Sequence, residues 1–339
     1  MIYKKLKVYH PINRGDKIMN LVNIVVAVYK PNAEYFKKLL DSLNNQTYNK
    51  IAFLFRDDSD DEEEHKEITK MIQEKITKFE YCIYKNECNL GSNKTFELLT
   101  KSSTGEFIAY CDQDDIWEKD KIARLLEHIL KENAVLCYSN LSIIDDNDNL
   151  VACSFKDVNK RVKHMYGENL FSYFLRRNSV TGCTMLIKAD VAKKAIPFCH
   201  KYYVHDHWLT LYASTQGTIA YLNKPLVKYR IHDNNQIGAS MLVAVNSRED
   251  YINNKLLKEN NKYEYLLKEF KFNKIQREKI QAMKNWTERR KVFFEKKSVK
   301  NTYFMVRSLR EDWQLIIFEL FINFAPDGIV KKVFSKIKS

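Results

Sequence analysis

The sequence predicts an α/β protein with an open, mostly parallel β-sheet flanked by helices and a helical extension at its carboxyl end. Three observations predict this class. Strand and helix patterns alternate between residues 21 and 131, several strands are unbroken apolar runs, and the pattern becomes helical alone after about residue 240. Such alternation gives right-handed βαβ units, and unbroken apolar strands are typical of parallel sheets covered on both faces.

The elements follow one another in a regular order after a polar, basic leader at residues 1–20, which lacks the apolar segment of a secretory signal. Strands are predicted where β-branched and other apolar residues run together, and helices where apolar residues recur at helical spacing. The predicted strands are 21–28, 51–55, 81–84, 106–111, 135–139, 183–187 and 226–230. Three of the predicted helices are 34–44, 92–100 and 119–131. A fourth begins with the acidic residues 60–64.

Charge and cysteine usage limit the classes of function. The chain has 56 Lys and Arg against 43 Asp and Glu, and its last 99 residues hold 22 of the former and 12 of the latter. A basic tail is attracted to anionic lipid or nucleic acid. Because acidic residues end the strands and would repel phosphate without a metal, we expect no nucleic-acid partner. Seven cysteines without a CxxC pair indicate buried thiols in a reducing compartment.

Acidic residues follow the apolar strand at 106–111, where Asp112, Gln113, Asp114 and Asp115 are consecutive. Ligands of open α/β sheets bind at the carboxyl ends of the strands. Clustered carboxylates hold hard divalent cations, and such a cation offsets the charge of a departing diphosphate. The alternative is a solvated acidic turn that caps the following helix.

Two other strand ends carry candidate ligands for a nucleotide. Tyr29 follows the first strand, and Asp57 and Asp58 follow the second, where a carboxylate can accept hydrogen bonds from a base or a ribose. The alternative for the aspartates is a turn. The segment Asn89–Lys94 links a strand to a helix, and its Gly91 and Lys94 suit either a phosphate at a helix amino terminus or a plain helix cap.

Two later segments hold candidates for proton transfer and phosphate binding. Asp206 lies between two histidines at a predicted helix start and suits a general base, although it also suits an N-cap. Arg230 and His232 follow the last strand, where Arg230 is a candidate phosphate ligand and His232 a candidate metal ligand or surface residue.

Together these segments resemble the family 2 glycosyltransferases of the GT-A fold, particularly the rhamnosyltransferase-like members that build bacterial surface polysaccharides. The resemblance covers residues 22 to 238. Its motifs are VNIVVAVYKPN, LLDSLNNQTY, FRDDSDD, NLGSNKTF, FIAYCDQDDIW, GCT at 182–184, HDHW and YRIHDNNQIG. The chain departs from the family in having Arg56 before the paired aspartates and in lacking the usual glycine of the following turn.

The resemblance implies a role for each candidate residue. Residues 21–117 would form the nucleotide-binding half and 118–240 the acceptor half of one catalytic domain. Asp112 and Asp114 would be the metal-binding pair, with His232 beside them, and Asp206 the base of a single in-line displacement that inverts the anomeric centre. The nucleotide-sugar ligands would be Val28, Tyr29, Asp57, Asp58, Asn89, Gly91, Lys94, Asp112, Gln113, Asp114 and Arg230. The acceptor side would be formed by Gly182, His205 and Trp208.

The implied function is that of an inverting glycosyltransferase of the hexosyl- or rhamnosyltransferase type that requires Mn²⁺ or Mg²⁺. It would move a sugar from a dTDP- or UDP-linked donor to a hydroxyl of a saccharide or lipid-linked acceptor in capsule or O-antigen synthesis. Loops near 157–167 and 230–240 are expected to close over the donor. The alternative function is a catalytically inactive, sugar-nucleotide-binding scaffold of the same fold.

Residues 241–339 are predicted to form a basic helical region. The run from Trp313 to Ala325 is almost entirely apolar, is too short to span a bilayer, and is followed by Lys331, Lys332, Lys336 and Lys338. Such a segment suits the interface of an anionic membrane. We therefore expect a cytoplasmic protein on the inner face of the inner membrane. The alternative is a core helix that makes contacts in a homo-oligomer.

Overall fold

The computed structural model describes residues 3–4, 20–158, 160, 162–232 and 245–338. The chain divides into two compact units, Met1–Asp233 and Asn234–Ser339. The predicted boundary near residue 240 lies outside the described residues, as do residues 5–19 of the predicted leader. Residues 3–4 of that leader form a short strand.

One sheet of ten strands forms the frame of the first unit in its described part. The strands are β1 (Tyr3–Lys4), β2 (Val22–Val28), β3 (Ile51–Asp57), β4 (Glu80–Lys85), β5 (Phe107–Cys111), β6 (Ile116–Trp117), β7 (Leu136–Ile144), β8 (Leu150–Ala152), β9 (Met185–Lys188) and β10 (Ile219–Arg230). Their order is β1-β4-β3-β2-β5-β9-β7-β10-β6, and β8 pairs with β7. The long ladders β4–β3–β2–β5 and β7–β10 are parallel, so the sheet is mostly parallel, as predicted.

The helices of the first unit connect these strands. They are α1 (Ala33–Asn44), α2 (Glu62–Lys75), α3 (Ser92–Ser102), α4 (Lys121–Lys131), α5 (Phe155–Val158), α6 (Phe171–Phe174), α7 (Ala189–Lys194) and α8 (His205–Ala213), with a 3₁₀ turn at Gly182–Thr184. Asn32 caps α1 and Asp61 caps α2, each through a side-chain oxygen that accepts two backbone N–H groups. Side chains of the strands and helices pack into an apolar core that includes Ile24, Phe53 and Ala109 of the sheet, and further apolar residues outside that cluster, among them Phe96 and Tyr110, are also buried.

The register aligns the ends of three neighbouring strands. Val28 pairs with Asp57 across β2 and β3, and Val26 pairs with Cys111 across β2 and β5. The residues that follow β2, β3 and β5 therefore lie along the same edge of the sheet. The sequence did not predict that β9 inserts antiparallel between β5 and β7, because that pairing joins segments far apart in the chain.

The second unit is helical in its described part. It contains α9 (Arg248–Asp250), a π-helical segment (Tyr251–Leu256), α10 (Leu257–Glu269), α11 (Lys274–Glu295), α12 (Val299–Arg307), α13 (Leu309–Phe324) and α14 (Asp327–Lys338). Its apolar core includes Tyr251, Trp286, Phe293 and Phe334. Within it, Arg290 and Glu319 are both fully buried and form an ion pair. Among the described residues, no helix has the length and apolar character that crossing a bilayer requires.

Candidate active site

The acidic segment after β5 is joined to the end of β2 by a pair of hydrogen bonds. The Tyr29 N–H donates to Gln113 Oε1 at 2.8 Å, and Gln113 Nε2 donates to the Tyr29 carbonyl at 2.9 Å. Helix α4 has Asp120 at its N-cap and no side-chain cap, so the segment 112–115 does not cap that helix. Tyr29 keeps an exposed ring at this sheet edge.

Asp114 and His232 are in direct contact. His232 Nε2 lies 2.8 Å from Asp114 Oδ2, and their side chains are 18% and 19% exposed. The structure thus brings together two residues that the sequence proposed as metal ligands. Their partial exposure leaves the pair open to a ligand from solvent.

A second cluster lies deeper, among Asp112, Asp115 and Cys183, whose candidate ligand atoms are all within 4.8 Å of one another. Burial, with the charges of neighbouring aspartates, raises the pKa of Asp115 well above its usual value. The buried Lys121 donates to the Cys183 carbonyl, and burial lowers the pKa of its ammonium group to about 7. The charges of Asp115 and Asp112 oppose this fall and favour the protonated form of Lys121.

The two clusters differ in their suitability for a hard cation. Mn²⁺ and Mg²⁺ prefer carboxylate oxygens, and Mn²⁺ also accepts imidazole, whereas thiols prefer softer metals. Burial also raises the pKa of the Cys183 thiol, which disfavours the thiolate that binds metal. Asp114, His232 and the partly exposed Asp112 offer ligands that fit a hard divalent cation, whereas the buried Cys183 and Asp115 do not.

Asp206 lies in the first turn of α8. Its Oδ2 accepts a hydrogen bond from the Gly182 N–H at 3.1 Å, and its Oδ1 accepts one from Asn178 Nδ2 at 3.2 Å. The N-cap of α8 is Val204, so Asp206 is not the cap that the alternative interpretation required. Burial raises the pKa of Asp206 to about 6, although hydrogen bonds from the His207 and Gly182 N–H groups oppose the rise.

Asp206 and Asp112 share one electrostatic environment. Burial raises the pKa of Asp112 to about 7, and the negative charges of Asp114 and Asp206 contribute to the rise. The charge of Asp206, at the start of α8, thus disfavours the ionisation of Asp112, which follows β5. Nearby, a Cβ on Gly182 would lie 2.7 Å from His205 Nε2, so only glycine fits there without a shift.

The two aspartates at the end of β3 are occupied by protein partners. Asp57 is fully buried and its Oδ2 lies 2.8 Å from His65 Nδ1. Asp58 is also buried, and its oxygens accept from Asn86 Nδ2 and from the Leu90 and Gly91 N–H groups at 2.7 to 2.9 Å. The resemblance implied that Asp58 holds the nucleoside with Asp57 nearby. In this structure Asp58 instead holds the loop after β4, and Asp57 holds His65 of α2.

The loop after β4 and its neighbours have further internal contacts. Gly91 is the N-cap residue of α3 and has a φ of +78°, which favours glycine. Asn89 Oδ1 accepts from the Gly91 N–H at 2.9 Å. Lys94 forms an ion pair with Glu97 one turn along α3, where the sequence had assigned it to phosphate. Arg56 donates to Asn86 Oδ1 at 2.9 Å and so supports the residue that holds Asp58.

Burial also corrects three predicted ligands in the second half of the unit. Arg230 has no exposed surface; its Nε donates to the Asp114 carbonyl at 3.0 Å and its guanidinium lies 2.6 Å from Asp148. Trp208 is buried and donates to the Ala195 carbonyl at 2.8 Å. His205 packs on Phe96, and burial lowers the pKa of its ring to about 3. All three support the site from within.

Val28, at the end of β2, is also buried, and its carbonyl accepts a hydrogen bond from the Asp58 N–H.

Two loops were expected to close over the donor. The structure describes most of the loop at 157–167 and, of the loop at 230–240, only residues 230–232. Gly167 pairs with Ile219 at the start of β10, the His164 ring stacks on Tyr221 at 4.2 Å, and Tyr138 donates to the Met165 carbonyl. This part of the loop is held at the opposite end of β10 from Arg230, which disfavours its closure over Asp114. Residues 233–240 of the other loop lie outside the described residues.

Sequence reasoning missed three residues of this site. Lys121 lies at the start of an ordinary amphipathic helix, and the spacing of apolar residues in that helix does not indicate that the lysine is buried. Asp115 was in the acidic run but was not assigned a role. Asn178 lies four residues before Gly182 in a segment without regular periodicity, and only its contact with Asp206 reveals it.

A known protein family matches much of the first unit. The family described as Glycosyl transferase family 2 matches residues 23–195. The dTDP-rhamnosyl transferase RfbG of Shigella flexneri is 30% identical over 162 residues, which are 44% of this chain and 53% of that protein. Thus the chain spans about half the length of RfbG.

A second relative and a solved structure complete the comparison. The Escherichia coli UDP-Glc:alpha-D-GlcNAc-diphosphoundecaprenol beta-1,3-glucosyltransferase WfgD is 26% identical over 62% of this chain and 77% of its own length. The mannosyltransferase PcManGT from Pyrobaculum calidifontis, solved with GDP-Man and Mn²⁺, matches with a TM-score of 0.50 at 12% identity, over 90% of this chain and 86% of its own. At that identity the likeness shows a shared fold.

Proposed function

The chain belongs to glycosyl transferase family 2, and from this membership we propose that it transfers one sugar from a nucleotide-diphosphate sugar to an acceptor hydroxyl with inversion of the anomeric centre. The single observation that carries the proposal is the Asp206 carboxylate, which is held at the start of α8 by hydrogen bonds from the Gly182 N–H at 3.1 Å and from Asn178 Nδ2 at 3.2 Å. Its negative charge also contributes to the raised pKa of Asp112, which follows β5.

Asp206 has the environment of a general base. Its Oδ2 is oriented by the Gly182 N–H, and its pKa of about 6 leaves it mostly ionised at neutral pH while still able to accept a proton. The acceptor hydroxyl would lose its proton to this carboxylate as its oxygen bonds to the anomeric carbon. The diphosphate would leave from the opposite face of the sugar, and a single displacement of this kind inverts the centre.

Asp114, His232 and Asp112 would hold the divalent cation, Mn²⁺ or Mg²⁺. Bound there, the cation would offset negative charge on the diphosphate. The chain's own residues orient the donor: the mutual hydrogen bonds of Tyr29 and Gln113 fix the end of β2 beside the acidic segment. The exposed Tyr29 ring offers a face on which a nucleobase would stack.

The relatives support a narrower choice of substrates. RfbG is named as a dTDP-rhamnosyl transferase, and WfgD as a UDP-glucose enzyme acting on a diphosphoundecaprenol-linked sugar. We therefore propose a dTDP- or UDP-linked hexose or rhamnose as donor, and a saccharide or lipid-linked saccharide as acceptor. The setting proposed is synthesis of a bacterial surface polysaccharide, capsule or O-antigen.

A thermal-shift panel tests the donor site. UDP, dTDP and GDP, and common sugars linked to each, are added to the full chain with and without Mn²⁺. We expect one nucleotide to raise the melting temperature only with Mn²⁺, and the Asp114→Ala variant to lose this rise. Asp190→Ala removes an exposed carboxylate of α7 and is the matched control. Nucleotide binding without transfer to any acceptor would favour the inactive scaffold, and no shift with any nucleotide would contradict both functions.

A further inference from the structure

Helix α13 has an apolar face that the described part of the second unit leaves exposed. Trp313, Ile317, Phe321 and Phe324 are each between 46% and 60% exposed. Their spacing of four, four and three residues places them on one side of the helix, over a length of about 17 Å. Ile316 and Ile322, on the other side, are fully buried in the core of the second unit. The helix is therefore held by its inner face while its outer face stays apolar.

The outer face carries no charge. Between Trp313 and Phe324 the only charged residue in the sequence is Glu319, which is buried against Arg290. The neighbouring helix α12 adds a second apolar row, Val299, Tyr303 and Val306, in which Val299 is 89% exposed. Soluble proteins seldom expose apolar side chains in rows of this kind unless they contact a partner or a membrane.

One lysine contacts the end of this apolar row, and other lysines are exposed on neighbouring segments of the chain. The Lys297 ammonium lies 5.8 Å from the centre of the Phe324 ring, at the end of the row on α13. Lys296 and Lys300 are exposed beside Lys297, and Lys331 and Lys332 are exposed on α14, the next helix. An apolar row bordered by lysines matches the interface of an anionic bilayer, which has acyl chains beneath negative headgroups.

We propose that α13, with α12 beside it, binds peripherally to an anionic lipid surface, with Trp313, Ile317, Phe321 and Phe324 inserted to the depth of the headgroups. A second copy of this chain is the rival occupant. In a symmetric dimer the same surface faces itself, so the two lysine borders would approach each other and repel. A lipid surface supplies the opposite charge. This inference does not depend on the proposed transferase activity, since lipid binding requires neither Asp206 nor Asp114.

Tryptophan fluorescence makes the test specific. Trp117, Trp208 and Trp286 are buried, whereas Trp313 is exposed. Vesicles of phosphatidylcholine, with and without about one third phosphatidylglycerol, are mixed with the full chain. We expect the emission to shift to shorter wavelength, and the chain to sediment with the vesicles, only when phosphatidylglycerol is present. Sedimentation should weaken between about 0.1 M and about 0.5 M NaCl because salt screens the lysines.

Matched variants separate the apolar contribution to vesicle binding from the electrostatic contribution. The double variant Trp313→Ser, Phe321→Ser should lower partitioning by roughly tenfold or more, whereas Gln314→Ser, an exposed polar position on the same helix, should not. Lys331→Gln with Lys332→Gln should reduce binding to anionic vesicles, and Lys258→Gln on α10 should leave it unchanged. Melting temperatures of all variants establish that they fold.

Two results would overturn the proposal. In the first, partitioning is equal on neutral and anionic vesicles or is unaffected by the double variant. In the second, wild type does not bind vesicles and is a dimer by light scattering, while the double variant is a monomer. That outcome would assign the surface to contacts between copies.

Discussion

The Gly182 N–H donates a hydrogen bond to Asp206 Oδ2 at 3.1 Å, which joins the 3₁₀ turn before β9 to the first turn of α8. The bond holds the carboxylate proposed as the base in one orientation. It also favours the ionised form, because an N–H donor stabilises the negative charge. Glycine is required at this position for a second reason, since His205 Nε2 occupies the space that a side chain would need.

Substitution of Gly182 by alanine should therefore impair both stability and catalysis. The added Cβ would lie 2.7 Å from His205 Nε2, and overpacking of a tight interior costs about 1–3 kcal/mol. We expect a lower free energy of unfolding and a lower kcat, measured by denaturant titration and by nucleotide release. Gly328→Ala on α14, where a Cβ meets no atom within 4 Å, is the control. Equal stability of both variants would show that the site accommodates the methyl group.

The pH dependence of transfer should follow the ionisation of Asp206. Burial raises its pKa to about 6, and a base must be deprotonated to act, so the rate falls as the pH drops through that value. We expect kcat/KM to rise with pH up to a plateau above about 7, with a slope of one decade per pH unit on the acid side. A profile with maximal kcat/KM below pH 5 would contradict the role of Asp206.

The Arg290–Glu319 pair should be essential to the stability of the second unit. Arg290 donates from Nε and Nη2 to the Glu319 carboxylate, and both residues have no exposed surface. Removing one partner leaves a buried charge, which costs about 3–5 kcal/mol. Arg290→Ala should lower the free energy of unfolding by that amount, measured by urea titration.

Arg310→Ala serves as the control for the buried pair. Arg310 is exposed, and its Nε lies 3.4 Å from the carboxylate of the adjacent Glu311. Exposed pairs of this kind contribute about 0–1 kcal/mol. If both variants lower the free energy of unfolding by a similarly small amount, then water or a rearranged neighbour replaces the contact that Glu319 loses in Arg290→Ala.

The sequence predicted the frame of the first unit well because periodicity is a local property. Every strand from β2 to β5 and each intervening helix lies where the apolar spacing placed it, and the carboxyl ends of these strands meet at one edge. The antiparallel insertion of β9 was not predictable in this way, since it depends on pairing between distant segments. The start of β10 at Ile219 was missed because Asn223, Lys224 and Pro225 interrupt its apolar run.

The sequence placed the candidate residues at strand ends and at a helix start, and their roles stay predictions. In the structure His232 contacts Asp114, and the charge of Asp206 acts on Asp112. Residue type does not reveal which partner a side chain has, however. Arg230, a candidate for phosphate, is instead enclosed by backbone carbonyls and Asp148. Such partners come from separate elements and are visible only in the folded chain.

Asp206→Asn tests the central claim most directly, because asparagine keeps the shape of the side chain but cannot accept the proton. The measurement is transfer of a labelled sugar from the donor that stabilises wild type, alongside thermal shift with the same nucleotide. We expect the rate to fall by about 10²- to 10⁴-fold while the thermal shift is unchanged. A variant that retains most of the wild-type rate would contradict the assignment of Asp206 as the base.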